Sequence, residues 1–451
     1  MKRYRLREEM NGIDEAPGKV WYWELAAGVI DAGRCVQCGT CVAACPSNSI
    51  GVGRNGLPEL VKMCTGCSLC WDFCPRGGLR YEALWPPSTP HGPDPAVPDA
   101  GVRPDAGVRP DAGVRPDAGV RPDAGVRPDA GVRPDAGDTC WKITGGPPAE
   151  GLGAVCERYA VRAAPKAGGA QDGGAVTAIL SSLLQEGAID GAVVSKPSTD
   201  PNEPWKGVAT IAATPAEVVA AAGSFYNQTM ALAELDLARY PLPANPRLAV
   251  VGTPCEIEGV RAMQARHWAT GAHRVEAVVL TVALLCTKSF DYEALMLREL
   301  RARRRVDLHR VSKVDVVRGR LVVEYRDGEV AVDEPVKAFH GAALKGCDEC
   351  ADFLGRSADL SVGSVGSLDG WTSVLVRTER GRLAFGAARR ALDVRDLDDP
   401  EALERLDGLD KRGAVRSLRR DLDPDAPLFI DYEDHVRRYE GSDRRPVTTR
   451  R

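Results

Sequence analysis

No stretch of this 451-residue sequence stays apolar for long, and neither sign of charge prevails. The longest apolar run, AVVLTVALLC (277–286), falls far short of the roughly 18 residues that suggest a membrane span. The start, MKRYRLREEMNG, is charged and leads into no apolar core of signal-peptide length, which points to the cytoplasm. Lysine plus arginine (59) nearly balances aspartate plus glutamate (63). A net charge of −4 therefore gives the chain as a whole no claim on nucleic acid or an anionic membrane, and any such contact must be local. The apolar content of 44% is enough for substantial cores, in a length that suggests about three domains.

Cysteine, by contrast, is plentiful, at 14 residues. In a reducing compartment these are metal ligands or redox groups before they are disulfides. Two segments repeat one cadence: CVQCGTCVAACP, with Cys35, Cys38, Cys41 and Cys45, and CTGCSLCWDFCP, with Cys64, Cys67, Cys70 and Cys74. Three cysteines at intervals of three, then a fourth before proline, is the spacing that bacterial-type ferredoxins use for cubane iron-sulfur clusters. A tight loop brings three thiolates onto one cube while backbone N–H groups point at the sulfurs, and the fourth cysteine serves the neighbouring cube. Cys35, Cys38, Cys41 and Cys74 are thus expected to hold one [4Fe-4S] cluster, and Cys64, Cys67, Cys70 and Cys45 the other. Structural zinc sites are usually two separated Cys-x2-Cys pairs rather than triplets closed by Cys-Pro.

After Trp85 the composition shifts to PPSTPHGPDPAVPDA and then to six copies of PDAGVR, Pro98 to Arg133. That period has too little apolar surface to fold and reads as a semi-extended tether. Closing a loop lengthened in this way costs only about 1 kcal/mol more.

Beyond Thr139 helical and strand patterns alternate. DGGAVTAILSSLLQEG reads as a helix with Asp172 near its N-cap and Gly187 at its end, followed by the strand GAVVS. TPAEVVAAAG carries a capping box, Thr214 to Glu217, with Pro215 in the first turn. RLAVVG is a buried strand running into a second Thr-x-x-Glu helix start, TPCEIEGVRAM. VDVVRGRLVVEYRDGEVAV is a meander turning at Arg318-Gly319 and Asp327-Gly328. The pattern is a mixed α/β domain rather than a clean Rossmann repeat.

Four further cysteines lie in this part. Cys255 falls in the first turn of the helix after RLAVVG, where unpaired N–H groups favour a thiolate or an anionic cluster. Cys286 ends the apolar run, and Cys347 and Cys350 form a Cys-x2-Cys pair. Spacing alone leaves two readings open, a third cluster or buried structural cysteines. Cys140 and Cys156 have no such partners and stay unassigned. Three segments have the look of cofactor contacts: QDGGAVT (171–177), with glycines at a helix start; CTKSF, with Lys288 just after a strand; and the Gly/Ser loop SVGSVGSLDGWTSV (361–374). The first reads equally as a capped helix and the last as an ordinary turn.

The segments AGGAQDGGAVTAILSSLLQEGAIDGAVV, VVGTPCEIEGVRA, LLCTKSFDYEAL, GCDECADF and DLSVGSVGSLDGWTSVLVRT together resemble the family of coenzyme F-420 hydrogenase/dehydrogenase beta subunits. The head with CTGCSLCWDFCPRGGLRYEAL is most similar to the two-cluster electron-input subunit of reduced coenzyme F-420 dehydrogenases. The hexapeptide insertion is foreign to that family. The resemblance implies an α+β architecture, a bacterial-type two-cluster ferredoxin domain (1–86) followed by a mixed α/β flavoprotein domain (139–395); composition and pattern add the Pro/Gly-rich linker between them (87–138) and a helical C-terminal tail (396–451), in which DLDDPEALERLDGLDKRG reads as a short amphipathic helix. It further implies FAD, a third [4Fe-4S] cluster on Cys255, Cys286, Cys347 and Cys350, and a pocket for the 5-deazaflavin coenzyme F-420 as substrate. The FAD contacts it carries over are Gln171, Asp172, Gly173, Gly174, Ala175, Val176, Thr177, Thr253, Pro254, Lys288, Ser289, Ser361, Gly363, Ser364, Gly366, Ser367, Trp371 and Thr372.

The expected activity is hydride transfer from the reduced coenzyme to FAD, with single electrons passed through three clusters to a redox partner. That chemistry demands no acid, base or nucleophile from the protein. The partner is a redox protein or complex, with no nucleic acid and no membrane span, and peripheral docking to a membrane complex is compatible with it. Competing expectations are a ferredoxin-dependent reductase of the same family and an electron-transfer subunit without a coenzyme pocket. The run RELRARRRVDLHR (298–310) reads as a solvated helix end or as a dock for an acidic partner or the coenzyme's anionic tail.

Overall fold

A computed structural model describes residues 22–53, 55–67, 69–77, 151–165, 170–265, 273–350 and 352–418. The hexapeptide stretch, Cys140 and the last residues of the chain lie outside that set.

The head is small. Helix Tyr22–Leu25 runs into a wide turn at Ala26–Ile30, and a hairpin pairs β1 (Ile50–Val52) with β2 (Pro58–Leu60). Two short helices, Thr40–Ala44 and Leu69–Asp72, carry the third cysteine of each triplet, Cys41 and Cys70. Gln37 (φ 53°) and Gly39 (φ 78°) take left-handed backbone to make the first triplet's turn.

The body is built on one mixed sheet. Its strands are β3 (Glu157–Ala163), β4 (Gly191–Pro197), β5 (Gly207–Ala212), β6 (Leu248–Gly252), β7 (Val278–Leu284), β11 (Leu360–Gly363), β12 (Thr372–Val376) and β13 (Leu392–Arg395). They lie in the order β13-β3-β12-β11-β7-β6-β4-β5. The central four, β11, β7, β6 and β4, are parallel, and their apolar runs are covered on both faces, as parallel strands require. The long apolar run of the sequence is thus the central strand β7. One face packs on helices Ala175–Gln185 and Glu379–Ala388 through Ile179, Leu180, Leu183, Ala384 and Phe385. The other packs on helix Pro254–Ala265 through Ile257, Val260 and Met263.

That second face also takes Ala43, Ala44, Leu69 and Phe73 of the head into the same core. The head therefore does not hang from a tether but shares buried apolar surface with the body. A separate three-stranded meander, β8 (Val311–Val317), β9 (Arg320–Tyr325) and β10 (Val330–Pro335), turns at Arg318-Gly319 and at Gly328 with positive φ. It packs on the π-helical segment Glu293–Arg303.

The Ala175–Gln185 helix is capped by Gly174 (φ 74°), two residues after Asp172, with no side-chain cap, because the chain enters in a left-handed turn. The C-terminal helix runs over Pro400–Leu418 and buries Leu403 against Leu152, Phe353, Leu354 and Leu375. The arginine run is partly structural, since Arg304 pairs with Glu334 at 2.7 Å and stacks on Phe339, while Arg310 pairs with Asp327 at 2.7 Å.

Candidate iron-sulfur and flavin site

Parallel strands gather whatever follows their carboxyl ends. Gly252 of β6 pairs with Ala283 of β7, and Leu284 of β7 with Val362 of β11, so Thr253 to Cys255, Cys286 and Gly363 leave the sheet along one edge. β12 runs antiparallel with Ser373 opposite Gly363, which brings Trp371 and Thr372 to that edge as well. Gly173 joins them, its N–H donating to Thr372 Oγ1 at 2.9 Å. Crevices at the carboxyl edge of such sheets are where open α/β folds bind ligands.

The twelve free cysteines among the described residues fall into three neighbourhoods. Cys35, Cys38, Cys41 and Cys74 line one cavity with Leu25, Val29 and Thr40. A thiolate at Cys41 is opposed first by burial, then by Cys35, Cys38, Cys74 and Cys70. At Cys67 burial again comes first, with Cys45 and Cys64 among the neighbouring charges. At Cys286, burial is followed by Cys347 and Cys350, and Cys255 feels both Cys350 and Cys38. Val36, Cys38, Cys255 and Cys347 share one small apolar cluster. The three sets thus form a line: the sheet-edge set adjoins Cys38, and Cys41 adjoins Cys70.

Backbone N–H groups point at several of these sulfurs. Gln37 N lies 3.4 Å from Cys35 Sγ, Ser49 N 3.2 Å from Cys45 Sγ, Gly66 N 3.2 Å from Cys64 Sγ and Ser289 N 3.5 Å from Cys347 Sγ. Buried thiols ringed by donors, with other thiolates beside them, suit a cationic metal core that holds the sulfurs deprotonated. The donor set fits iron-sulfur cubes. Among the described residues no three such side chains gather closely enough for a single ion, whose sulfurs would lie at about 2.3 Å.

The sequence-derived flavin residues divide by what their side chains already do. Thr253 and Ser289 are joined through Gln228, which donates to Thr253 Oγ1 at 2.9 Å and accepts from Ser289 Oγ at 2.9 Å. Thr253 Oγ1 also lies 3.1 Å from Cys255 Sγ, so this chain of hydroxyls links the expected flavin edge to the third cysteine set. Gly173 admits no Cβ, which would lie 2.8 Å from Thr372 N and closer still to the Val161 carbonyl. Ser361, in contrast, is 0% exposed and accepts from the buried Arg377 at 2.6 Å. Its hydroxyl serves the core. Ser367 pairs with Ser373 at 2.6 Å, Gln171 donates to the Val314 carbonyl at 3.0 Å, and Lys288 pairs with Asp348. Trp371 sits between Arg162 and Arg395, 4.8 and 4.0 Å from its ring. Ala175, Val176 and Thr177 form the first turn of their helix; Pro254 opens helix Pro254–Ala265. Asp172 precedes the Gly173-Gly174 turn; Gly363 ends β11, and Ser364 and Gly366 lie in the loop between β11 and β12.

Four residues at the site had no motif to announce them. Gln228 stands alone in the sequence. Glu256 reads only as a capping residue, yet it is buried; burial pushes its carboxyl up to about 7 against hydrogen bonds from Thr253, Ala231 and Gln228. Arg34 and Arg76 look like surface cations but are buried where head meets body. Cys156, unassigned from sequence, is disulfide-bonded.

Comparison with known proteins agrees with this layout. Residues 27–78 match a 4Fe-4S dicluster domain. Residues 158–236 and 246–400 match the N-terminal and C-terminal parts of the coenzyme F-420 hydrogenase/dehydrogenase beta subunit. Coenzyme F-420-dependent sulfite reductase from Methanocaldococcus jannaschii is 26% identical over 89% of this chain and 52% of its own length. A subunit of the F(420)H(2) dehydrogenase from Methanosarcina mazei is 31% identical over 56% of this chain and 66% of its own. The chain thus spans about half of the first relative and just under two thirds of the second. A chain of the F-420-reducing [NiFe] hydrogenase complex from Methanosarcina barkeri superposes with a TM-score of 0.55 at 27% identity, covering 60% of this chain and 94% of that one. Among the described residues no helix is long and apolar enough to cross a membrane. By its cysteine-rich head, its sheet-edge residues and these matches, the chain belongs to the family of coenzyme F-420 hydrogenase/dehydrogenase beta subunits.

Proposed function

We propose that this chain is an iron-sulfur flavoprotein that oxidises reduced coenzyme F-420 and delivers single electrons to a redox partner. The observation that carries the reading is the line of three free-cysteine sets from the sheet edge into the docked head. When bound, FAD supplies the exchange between a hydride's electron pair and the one-electron steps of [4Fe-4S] clusters. The protein's part is to hold and order. Cys255, Cys286, Cys347 and Cys350 take the cluster nearest the flavin edge, Cys35, Cys38, Cys41 and Cys74 the middle one, and Cys45, Cys64, Cys67 and Cys70 the outermost. Gly173 and Gly174 let the main chain approach a cofactor phosphate at a helix start, and the hydrogen-bonded chain of Ser289, Gln228 and Thr253 links that site to Cys255.

The partner is a soluble redox protein or a complex met through the head, with residues 1–86 as the electron outlet and 139–418 as the coenzyme-reacting body. The test is anaerobic mixing of the reconstituted protein with reduced deazaflavin. Bleaching of a flavin band within seconds supports the reading. Bleaching by reduced ferredoxin alone reverses the direction, and material with about four irons or fewer and no flavin removes it.

A further inference from the structure

Arg76 is 2% exposed, and its side chain reaches away from its own segment. Its backbone N–H points at Cys74 Sγ at 3.4 Å, while its Nε donates to the Gly346 carbonyl at 2.6 Å, one residue before Cys347. Its Nη1 donates to the Pro75 carbonyl at 2.9 Å, and its own carbonyl accepts from Arg34 Nη2 at 2.9 Å. The guanidinium therefore stands between Cys74 on the head side and the Cys347–Cys350 turn on the body side. Charges on Cys350, Cys255 and Cys347 act on it, and it acts in turn on Cys35 and Cys74. The carboxylate nearest the turn, Glu349, is already gripped by Arg34 at 2.6 and 2.7 Å. A buried cation is costly unless an anion repays it; the anions that act on Arg76 are Cys350, Cys255 and Cys347, then Glu349, and it stands beside Cys74 of the head set as well.

We propose that Arg76 sets the reduction potentials of the two clusters flanking it, holding both higher than they would otherwise lie and so favouring entry of electrons into them from the flavin edge. The inference rests on the three-cluster reading. A cubane gains one negative charge when it takes an electron, and a fixed cation in a low-dielectric site favours that more negative form. Arg76 exchanges neither proton nor electron in the process; it is a positioning charge. It is distinct from the cysteines, which bind the metal, and from the flavin-edge hydroxyls.

The test is an anaerobic, spectroscopically monitored redox titration of the reconstituted full chain, comparing wild type with Arg76→Gln, Arg76→Lys and Glu349→Gln, with iron counted in each. Arg76→Gln is expected to lower the reduced-to-oxidised ratio of two clusters about tenfold at a fixed potential, equivalent to about 59 mV for a one-electron couple, while the outermost cluster moves least. Arg76→Lys keeps the charge and stays near wild type. Glu349→Gln removes a negative charge from the same network and shifts the sheet-edge cluster the opposite way. Unchanged potentials in an iron-replete Arg76→Gln protein overturn the proposal. Should that variant lose its iron, a Glu349→Gln titration superimposable on wild type overturns it instead. Wild-type protein lacking three cubane signals would overturn the underlying three-cluster reading, which separates that failure from a failure of Arg76 alone.

Discussion

Arg34 holds Glu349 with two parallel bonds, Nε to Oε1 at 2.6 Å and Nη2 to Oε2 at 2.7 Å, across 315 residues of sequence. Both side chains are 11% exposed. Arg34 precedes the first cluster cysteine, and Glu349 lies between the cysteines of the Cys347/Cys350 pair, so the ion pair ties two cysteine sets together. Removing one partner leaves the other charge buried and uncompensated, which costs about 3–5 kcal/mol. Arg34→Met alone is expected to lower the urea midpoint clearly, whereas Arg34→Met combined with Glu349→Leu recovers most of the loss. A double variant no better than the single one would mean that the pair is not coupled.

Iron content should fall in steps. With three cubes the reconstituted chain carries about twelve irons, and Cys286→Ala is expected to leave about eight. The head clusters' signals should persist in that variant, because none of their cysteines is touched. Metal analysis with electron paramagnetic resonance checks both halves of this expectation.

Gly173 is expected to tolerate no side chain. A methyl group there would meet the Val161 carbonyl and the Thr372 amide, both of them backbone atoms in paired strands that cannot swing aside. Gly173→Ala should cost about 1–3 kcal/mol and lower the flavin-to-protein ratio after reconstitution. Thermal melting and the visible flavin spectrum measure the two effects separately.

Asp359 gives the fold an acid limit. Burial pushes its carboxyl up, but Arg261 at 2.8 Å, Arg380, and hydrogen bonds from Thr378 and Thr281 outweigh that and hold it below the usual carboxylate range. A group depressed in the folded state contributes stability that is full above its unfolded value, about 3.9, and lost as pH falls through the folded one. Urea midpoints of wild type should therefore drop on acidification below about pH 4. Asp359→Asn should start lower at neutral pH and lose less over the same interval.

Much of the body could be read from local pattern. The runs LAVVG and VVLTVAL are buried strands, Thr214 and Glu217 close their capping box, and Arg318, Gly319 and Gly328 turn the meander with positive φ. Each of these depends on neighbours in sequence, which is what periodicity and turn chemistry report. The cysteine cadence was legible for the same reason. What pattern could not reveal was the joint between head and body. Arg76 and Gly346 are 270 residues apart, and nothing in RGG or in KGC hints that one bonds the other. Gln228 was invisible because its role depends on Thr253 and Ser289, which arrive from two different strand ends.

Three glycines line that joint. Side chains at Gly39, Gly259 and Gly346 would run into Ala233 N, Thr40 and the Arg34 carbonyl respectively. At Gly39 and Gly346 main chain rests on main chain, and there neither surface can drift by exchanging one rotamer for another; at Gly259 it is the Thr40 side chain that fills the space. The head is thus seated on the body by bare positions on both sides, Gly39 on the head and Gly259 and Gly346 on the body, and a side chain added at any of them would lift one half off the other.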